Sequence, residues 1–114
     1  MGDVMSVNVN EYNFESEVLK SKTPVLLEFG AVWCQPCKRL DPILEQLSTQ
    51  WKDRVHVAKV DVDESGNLAM QMQVMSVPTM ILFVNGKETA RMVGLQTPEK
   101  ISDKINTMVG SLLS

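Results

Sequence analysis

The sequence predicts an α/β domain in which a mixed sheet of five strands is covered on both faces by four helices. Near-continuous apolar runs at 25–29 and 79–84, with a β-branched run at 55–62, fit strands buried on both faces. Stretches with apolar residues at helical spacing alternate with those runs, the order produced when helices cross over a sheet. The pair Asn85-Gly86 separates two further strand-like stretches and suits the positive dihedrals of a tight hairpin turn, so the sheet also contains an antiparallel pair.

The elements follow in order. "SVNV" (6–9) reads as a short strand, after which Asn10 or Asn13 caps a helix that carries Phe14 and Val18 on one face and ends before Ser21 and Pro24. "VLLEF" (25–29), bounded by Pro24 and Gly30, is the strand most evidently buried. From Lys38 onward, Leu40, Ile43, Leu44, Leu47 and Trp51 recur at helical spacing, and Pro42 inside the pattern is expected to kink that helix. "VHVAKVDV" (55–62) is the third strand, and Ser65, Gly66 and Asn67 open a shorter helix through Leu68 and Met72. "TMILFV" (79–84) and "KETARMV" (87–93) are the arms of the hairpin, which Gly94 ends. Thr97 caps and Pro98 begins a last helix with Ile101, Ile105, Met108 and Leu112 on its apolar face.

No repeat, linker or low-complexity tract divides the 114 residues, so residues 1–114 are expected to form a single domain. A net charge of -3, with no cluster of Lys and Arg to displace counterions from phosphates, argues against nucleic-acid binding. The opening "MGDVMSVNVNEYNF" has neither a basic start followed by an apolar run nor a span long enough for a bilayer, so a cytoplasmic, membrane-free protein is expected. Gly2 and Ser6 match the loose myristoylation pattern Met-Gly-x-x-x-Ser, which Asp3 disfavours.

The two cysteines of the chain both lie in "WCQPC" (33–37). Thiolates rather than thiols attack disulfides, so a reactive cysteine needs surroundings that favour negative charge. Cys34 falls where strand 25–29 runs into a helix, facing unpaired N–H groups and the positive end of the helix dipole. Two intervening residues put Cys37 one turn away, near enough to resolve a mixed disulfide formed by Cys34. Pro36 sits in the first turn, where its missing N–H costs nothing. Other uses of the pair compete with this one. Structural zinc wants four ligands, and His56 on a distant strand is the one histidine available. A purely structural disulfide would close too small a loop to stabilise much. Buried cysteines also serve as inert small hydrophobes.

Several spaced motifs together resemble the thioredoxin family. "WCQPCK" is similar to its WCGPCK active-site motif, "VLLEFGAVWC" to the strand and turn before it, "SVPT" to its cis-proline loop, "LFVNGK" to its hairpin, and "VG" at 93–94 to the glycine beside its substrate groove. The resemblance implies the thioredoxin fold, five strands flanked by four helices, and a general protein-disulfide reductase. It also implies that no cofactor is bound, that the chain is a monomer, and that a flavin-containing thioredoxin reductase drawing on NADPH supplies the electrons. Cys34 then resembles the exposed nucleophile, Cys37 the buried resolving thiol, Trp33 the flanking aromatic, and Pro78 the cis-proline facing them. Gln35 and Pro36 lie between the cysteines, and Val77, with its backbone open to an extended substrate, and Gly94 complete the expected substrate groove.

Glu28, the one charge within "VLLEF", stands where the family usually has aspartate. Burial should raise its pKa and let it exchange a proton with Cys37, and Lys59 resembles the lysine that pairs with that acid. Three departures accompany it: Gln35 for glycine, Gly30 where many members have tryptophan, and Val32 where a polar residue is common. A rival reading is a thioredoxin-like binding or scaffold subunit whose redox activity is incidental, because a fold does not fix a function. Met70, Met72, Met75, Met80 and Met92 gather around the Pro78 stretch and the hairpin and are expected mainly to fill the core.

Overall fold

The computed structural model describes residues 6–113, so Gly2 of the myristoylation pattern lies outside the described residues, as does the side chain of Leu112. The strands are β1 (Ser6–Asn8), β2 (Val25–Gly30), β3 (His56–Asp61), β4 (Thr79–Val84) and β5 (Lys87–Val93). The helices are a short segment at Glu15–Leu19, α1 (Gln35–Trp51), α2 (Gly66–Gln71) and α3 (Pro98–Leu113). Element types and their order are those expected.

The five strands form one sheet in the order β1-β3-β2-β4-β5. β1, β3 and β2 run parallel, whereas β4 is antiparallel to both β2 and β5. β2 lies at the centre and every one of its residues is buried. Side chains alternate between faces along a strand. On one face Val25, Leu27 and Phe29 join Ala58, Val60, Ile81 and Phe83 beneath Phe14, Val18 and Leu68. On the other, Leu26, Val57, Met80 and Leu82 meet Leu40, Leu44, Leu47 and Trp51 of α1 and Ile101 and Ile105 of α3. Burying each such side chain contributes roughly 1.5–3 kcal/mol. The two layers together clamp β2, the strand from which the cysteine turn departs.

Local differences from the expectation have local causes. The first helix is a single wide turn, closed by a bond from the Lys20 N–H to the Glu15 carbonyl at 2.8 Å. Neither candidate asparagine is its N-cap residue, which is Phe14 with no side-chain cap; they bond within the turn ahead of it, Asn10 Oδ1 accepting the N–H groups of Tyr12 and Asn13 and Asn13 Oδ1 that of Asn10. α1 begins at Gln35, with Pro36 in its first turn as expected, and contains Pro42, which withholds one hydrogen bond from the Lys38 carbonyl. α3 has non-helical dihedrals at Val109 (φ -134°, ψ 29°).

The methionines divide. Met80 and Met92 are core residues and Met72 packs at its margin. Met70 and Met75 are 74% and 92% exposed, because one lies on the outer side of α2 and the other in the loop before Pro78. Core filling is therefore the wrong account of those two. In the hairpin turn Asn85 and Gly86 have φ of 54° and 80°, and a Cβ on Gly86 would stand 2.6 Å from the Leu19 carbonyl oxygen. Glycine is required there both by the turn and by the short helix resting on it.

Candidate active site around the cysteine pair

The chain leaves β2 at Gly30, turns through Ala31 to Trp33 and enters α1 with Cys34 as the N-cap residue. Cys34 and Cys37 are joined as a disulfide, their Cα atoms 5.3 Å apart. The Cys37 N–H donates to Cys34 Sγ at 3.2 Å. An unpaired amide at a helix start carries partial positive charge, so this contact favours a thiolate at Cys34 once the pair is reduced. The same contact turns the sulfur inward. Cys34, which the resemblance made the exposed member, is 4% exposed, no more than Cys37.

Around the pair lies an apolar rim. Trp33 and Val32 are 62% and 72% exposed, and the Trp33 indole N–H donates to Asp63 Oδ2 at 2.8 Å, which fixes the ring against the loop after β3. Gln35 and Pro36 are exposed on the first turn of α1. Strand register brings the second wall to the same end of the sheet, since Thr79 pairs with both Phe29 at the end of β2 and Val93 at the end of β5. Directly before Thr79 the Val77-Pro78 bond is cis. Gly94, with φ of 89°, donates its N–H to the Pro78 carbonyl at 2.8 Å. Arg91 steadies the approach to this loop by donating to the Met72 and Gln73 carbonyls at 2.8 and 3.2 Å while gripping both carboxylate oxygens of Glu88.

Beneath the disulfide, on the sheet face toward α1, Glu28 is 1% exposed, and neither of its carboxyl oxygens has a hydrogen-bond partner. Desolvation pushes its pKa up from 4.5 to about 7; Lys59 opposes the rise and Asp41 adds to it. Lys59 lies beside Glu28 in the β2–β3 register, but its Nζ donates to Asp41 Oδ1 at 2.8 Å. The expected pairing of Lys59 with Glu28 is thus an influence through space, because the lysine reaches across to the helix and bonds Asp41 instead. A cleft of about 380 Å³ is bordered by Glu28, Gly30, Cys37, Lys38, Asp41 and Lys59.

Trp33, Cys34, Gln35, Pro36 and Cys37 are thus consecutive on one turn, Glu28 lies below them, and Val77, Pro78 and Gly94 occupy the same end of the sheet. Asp41, Asp63 and Arg91 were missed by sequence reasoning. Asp41 follows Cys37 by four residues on one helix face, a spacing that could have revealed it. Asp63 meets Trp33, and Arg91 meets the Met72 and Gln73 carbonyls, across long stretches of sequence that leave no local signal. Among the described residues no group of three or more His, Cys, Asp or Glu side chains is placed to hold a metal ion, and no helix is long and apolar enough to cross a membrane.

The family model described as Thioredoxin matches residues 5–107. A thioredoxin of Rickettsia felis is 40% identical over 105 residues, covering 92% of this chain and 100% of its own length. A thioredoxin of Acidithiobacillus ferridurans is 45% identical over 86 residues, 75% of this chain and 80% of that protein. A bifunctional thioredoxin reductase/thioredoxin of Mycobacterium leprae is 37% identical over 108 residues, which are 95% of this chain and 24% of the relative.

Proposed function

Because this chain belongs to the thioredoxin family of protein-disulfide oxidoreductases, we propose that it is a general reductase of protein disulfides in which Cys34 attacks and Cys37 resolves. The observation that supports this most is the helix-start amide of Cys37 resting on Cys34 Sγ at 3.2 Å. The Cys34 thiolate attacks one sulfur of a target disulfide, forming a mixed disulfide and releasing the first target thiolate. Cys37 then gives its proton to the Glu28 carboxylate and attacks Cys34 Sγ, expelling the second target thiolate. Two electrons have passed to the target, and the Cys34–Cys37 disulfide is left. An acid titrating at about 7 suits this task, being partly ionised at neutrality and able to return the proton later.

Trp33, Gln35 and Pro36 form one side of the proposed substrate groove, and Val77, Pro78 and Gly94 the other. An extended target segment lies between them, its backbone along Val77. Lys59 acts on the proton step through its charge on Glu28, from its salt bridge to Asp41. We assign the whole of residues 1–114 to one domain acting as a cytoplasmic monomer. Its electron donor is a thioredoxin reductase passing electrons from NADPH through a flavin, a partnership supported by the fused relative from Mycobacterium leprae.

The test is reduction of insulin disulfides with dithiothreitol. Cys34→Ser should abolish it, and full activity in that variant refutes the assignment. Cys37→Ser should accumulate stable mixed disulfides with targets. Rapid turnover with a thioredoxin reductase and NADPH supports the reductase, whereas its absence with every reductase tried favours a scaffold role.

A further inference from the structure

Glu28 and Gly30 are two residues apart on β2 and therefore project to the same sheet face, beneath the first turn of α1. A Cβ placed on Gly30 would stand 2.9 Å from Glu28 Oε2, 3.3 Å from Cys37 Sγ and 3.5 Å from Cys37 Cβ. The volume left by the missing side chain is therefore shared by the carboxyl group and the resolving sulfur. Cys37 is held by the helix and by its N–H bond to Cys34 Sγ. The Glu28 carboxyl has no hydrogen bond to hold it. If a methyl group enters this space, the carboxyl is the part free to rotate away. Gly30 also has no positive φ that would by itself call for glycine.

We propose that Gly30 is a positioning residue for the proton step: its missing side chain is the space through which the long acid Glu28 reaches the sulfur of Cys37. The inference rests on the reading of Glu28 as the proton acceptor. Glutamate at 28 and glycine at 30 then work as one device, the extra methylene of the first occupying room left by the second. The charged groups facing Glu28 are Lys59 from β3 and Asp41 from α1, and neither borders the space above Gly30 as closely as Cys37 does.

The experiment follows resolution directly. Reduced protein is mixed with dithiobis-nitrobenzoate, whose first thiolate is released when Cys34 is loaded and whose second is released when Cys37 attacks. Gly30→Ala should slow the second release near neutral pH roughly a hundredfold, the lower end of what a positioned base contributes. It should also remove the rise in rate that accompanies ionisation of Glu28. In a Glu28→Gln background the alanine should add no further slowing. Glu28→Asp with Gly30→Ala should resolve as Glu28→Asp alone does, because the shorter acid has withdrawn from the clash; this comparison also serves if Gly30→Ala alone fails to fold. The proposal is overturned if Gly30→Ala keeps the parent rate and pH profile. It is equally overturned if the alanine slows resolution in the Glu28→Gln or Glu28→Asp variant, which would place its effect on Cys37 itself. If Glu28→Gln resolves as fast as the parent, the proton-acceptor reading fails and Gly30 loses its role with it. If Glu28→Gln is slow while Gly30→Ala is not, the Gly30 inference fails alone.

Discussion

Replacing Glu28 by glutamine should make the oxidised protein more stable at alkaline pH while leaving it nearly unchanged in mild acid. Burial without a hydrogen-bond partner raises the carboxyl from 4.5 to about 7. Each pH unit of such displacement corresponds to about 1.4 kcal/mol, so the folded chain bears a cost of roughly 3 kcal/mol when this group is ionised. The folded state holds the proton more tightly than the unfolded chain does. Between about pH 4.5 and 7 the unfolded chain releases it first, so stability falls as pH rises through this window and levels off above it. Glutamine has no such transition. Urea unfolding of both proteins from pH 4 to 9 should therefore show a difference that opens across the window and reaches about 3 kcal/mol, at least ~1 M in midpoint for a usual urea slope. Any constant offset from the extra amide donor is irrelevant, since only the pH-dependent part is diagnostic. Parallel stability curves across the whole range would refute the claim that Glu28 is buried and uncompensated.

Two further outcomes follow from neighbouring geometry. Lys59→Met removes the positive charge that restrains the rise at Glu28, so the carboxyl should titrate at higher pH, and the pH at which Cys37 reaches half its maximal resolution rate should move up with it; an unmoved profile would remove Lys59 from the proton step. Gly86→Ala places a methyl 2.6 Å from the Leu19 carbonyl in a residue with φ of 80°, and should cost about 1–3 kcal/mol in denaturant unfolding while the activity of the folded fraction stays intact. Stability equal to the parent would show that the hairpin does not press on the short helix.

Much of the fold was legible because it rests on patterns spanning a few residues. "VLLEF" reads as a buried strand from its apolar run, the Asn85-Gly86 turn from its dihedral needs, and Cys34 as a helix start from the strand that precedes it. The wide turn at Glu15–Leu19 was not legible, since asparagines ahead of an apolar stripe read equally well as openings for an α-helix. In the site, the contacts of Cys37 with Cys34 are local and were anticipated. The partner of Lys59 was misplaced because the register sets Glu28 beside it, yet a long side chain can reach across to α1 and the exposed end of Asp41. Exposure of Cys34 was overestimated for a related reason: sequence spacing locates the sulfur at the helix start without saying that it turns in to meet an amide. Gly30 looked merely like a lost tryptophan until the space above it was seen to hold a carboxyl.

The direction of α1 has a practical side. Its first turn carries the sulfurs, and its 17 residues lead about 25 Å away at 1.5 Å each. The chain then emerges at the exposed residue Asp53, before β3 sets off again from the opposite end of the sheet. A peptide tag or surface linker inserted beside Asp53 would hold the molecule by its heel, leaving the sulfur-bearing end pointed toward whatever solution flows past.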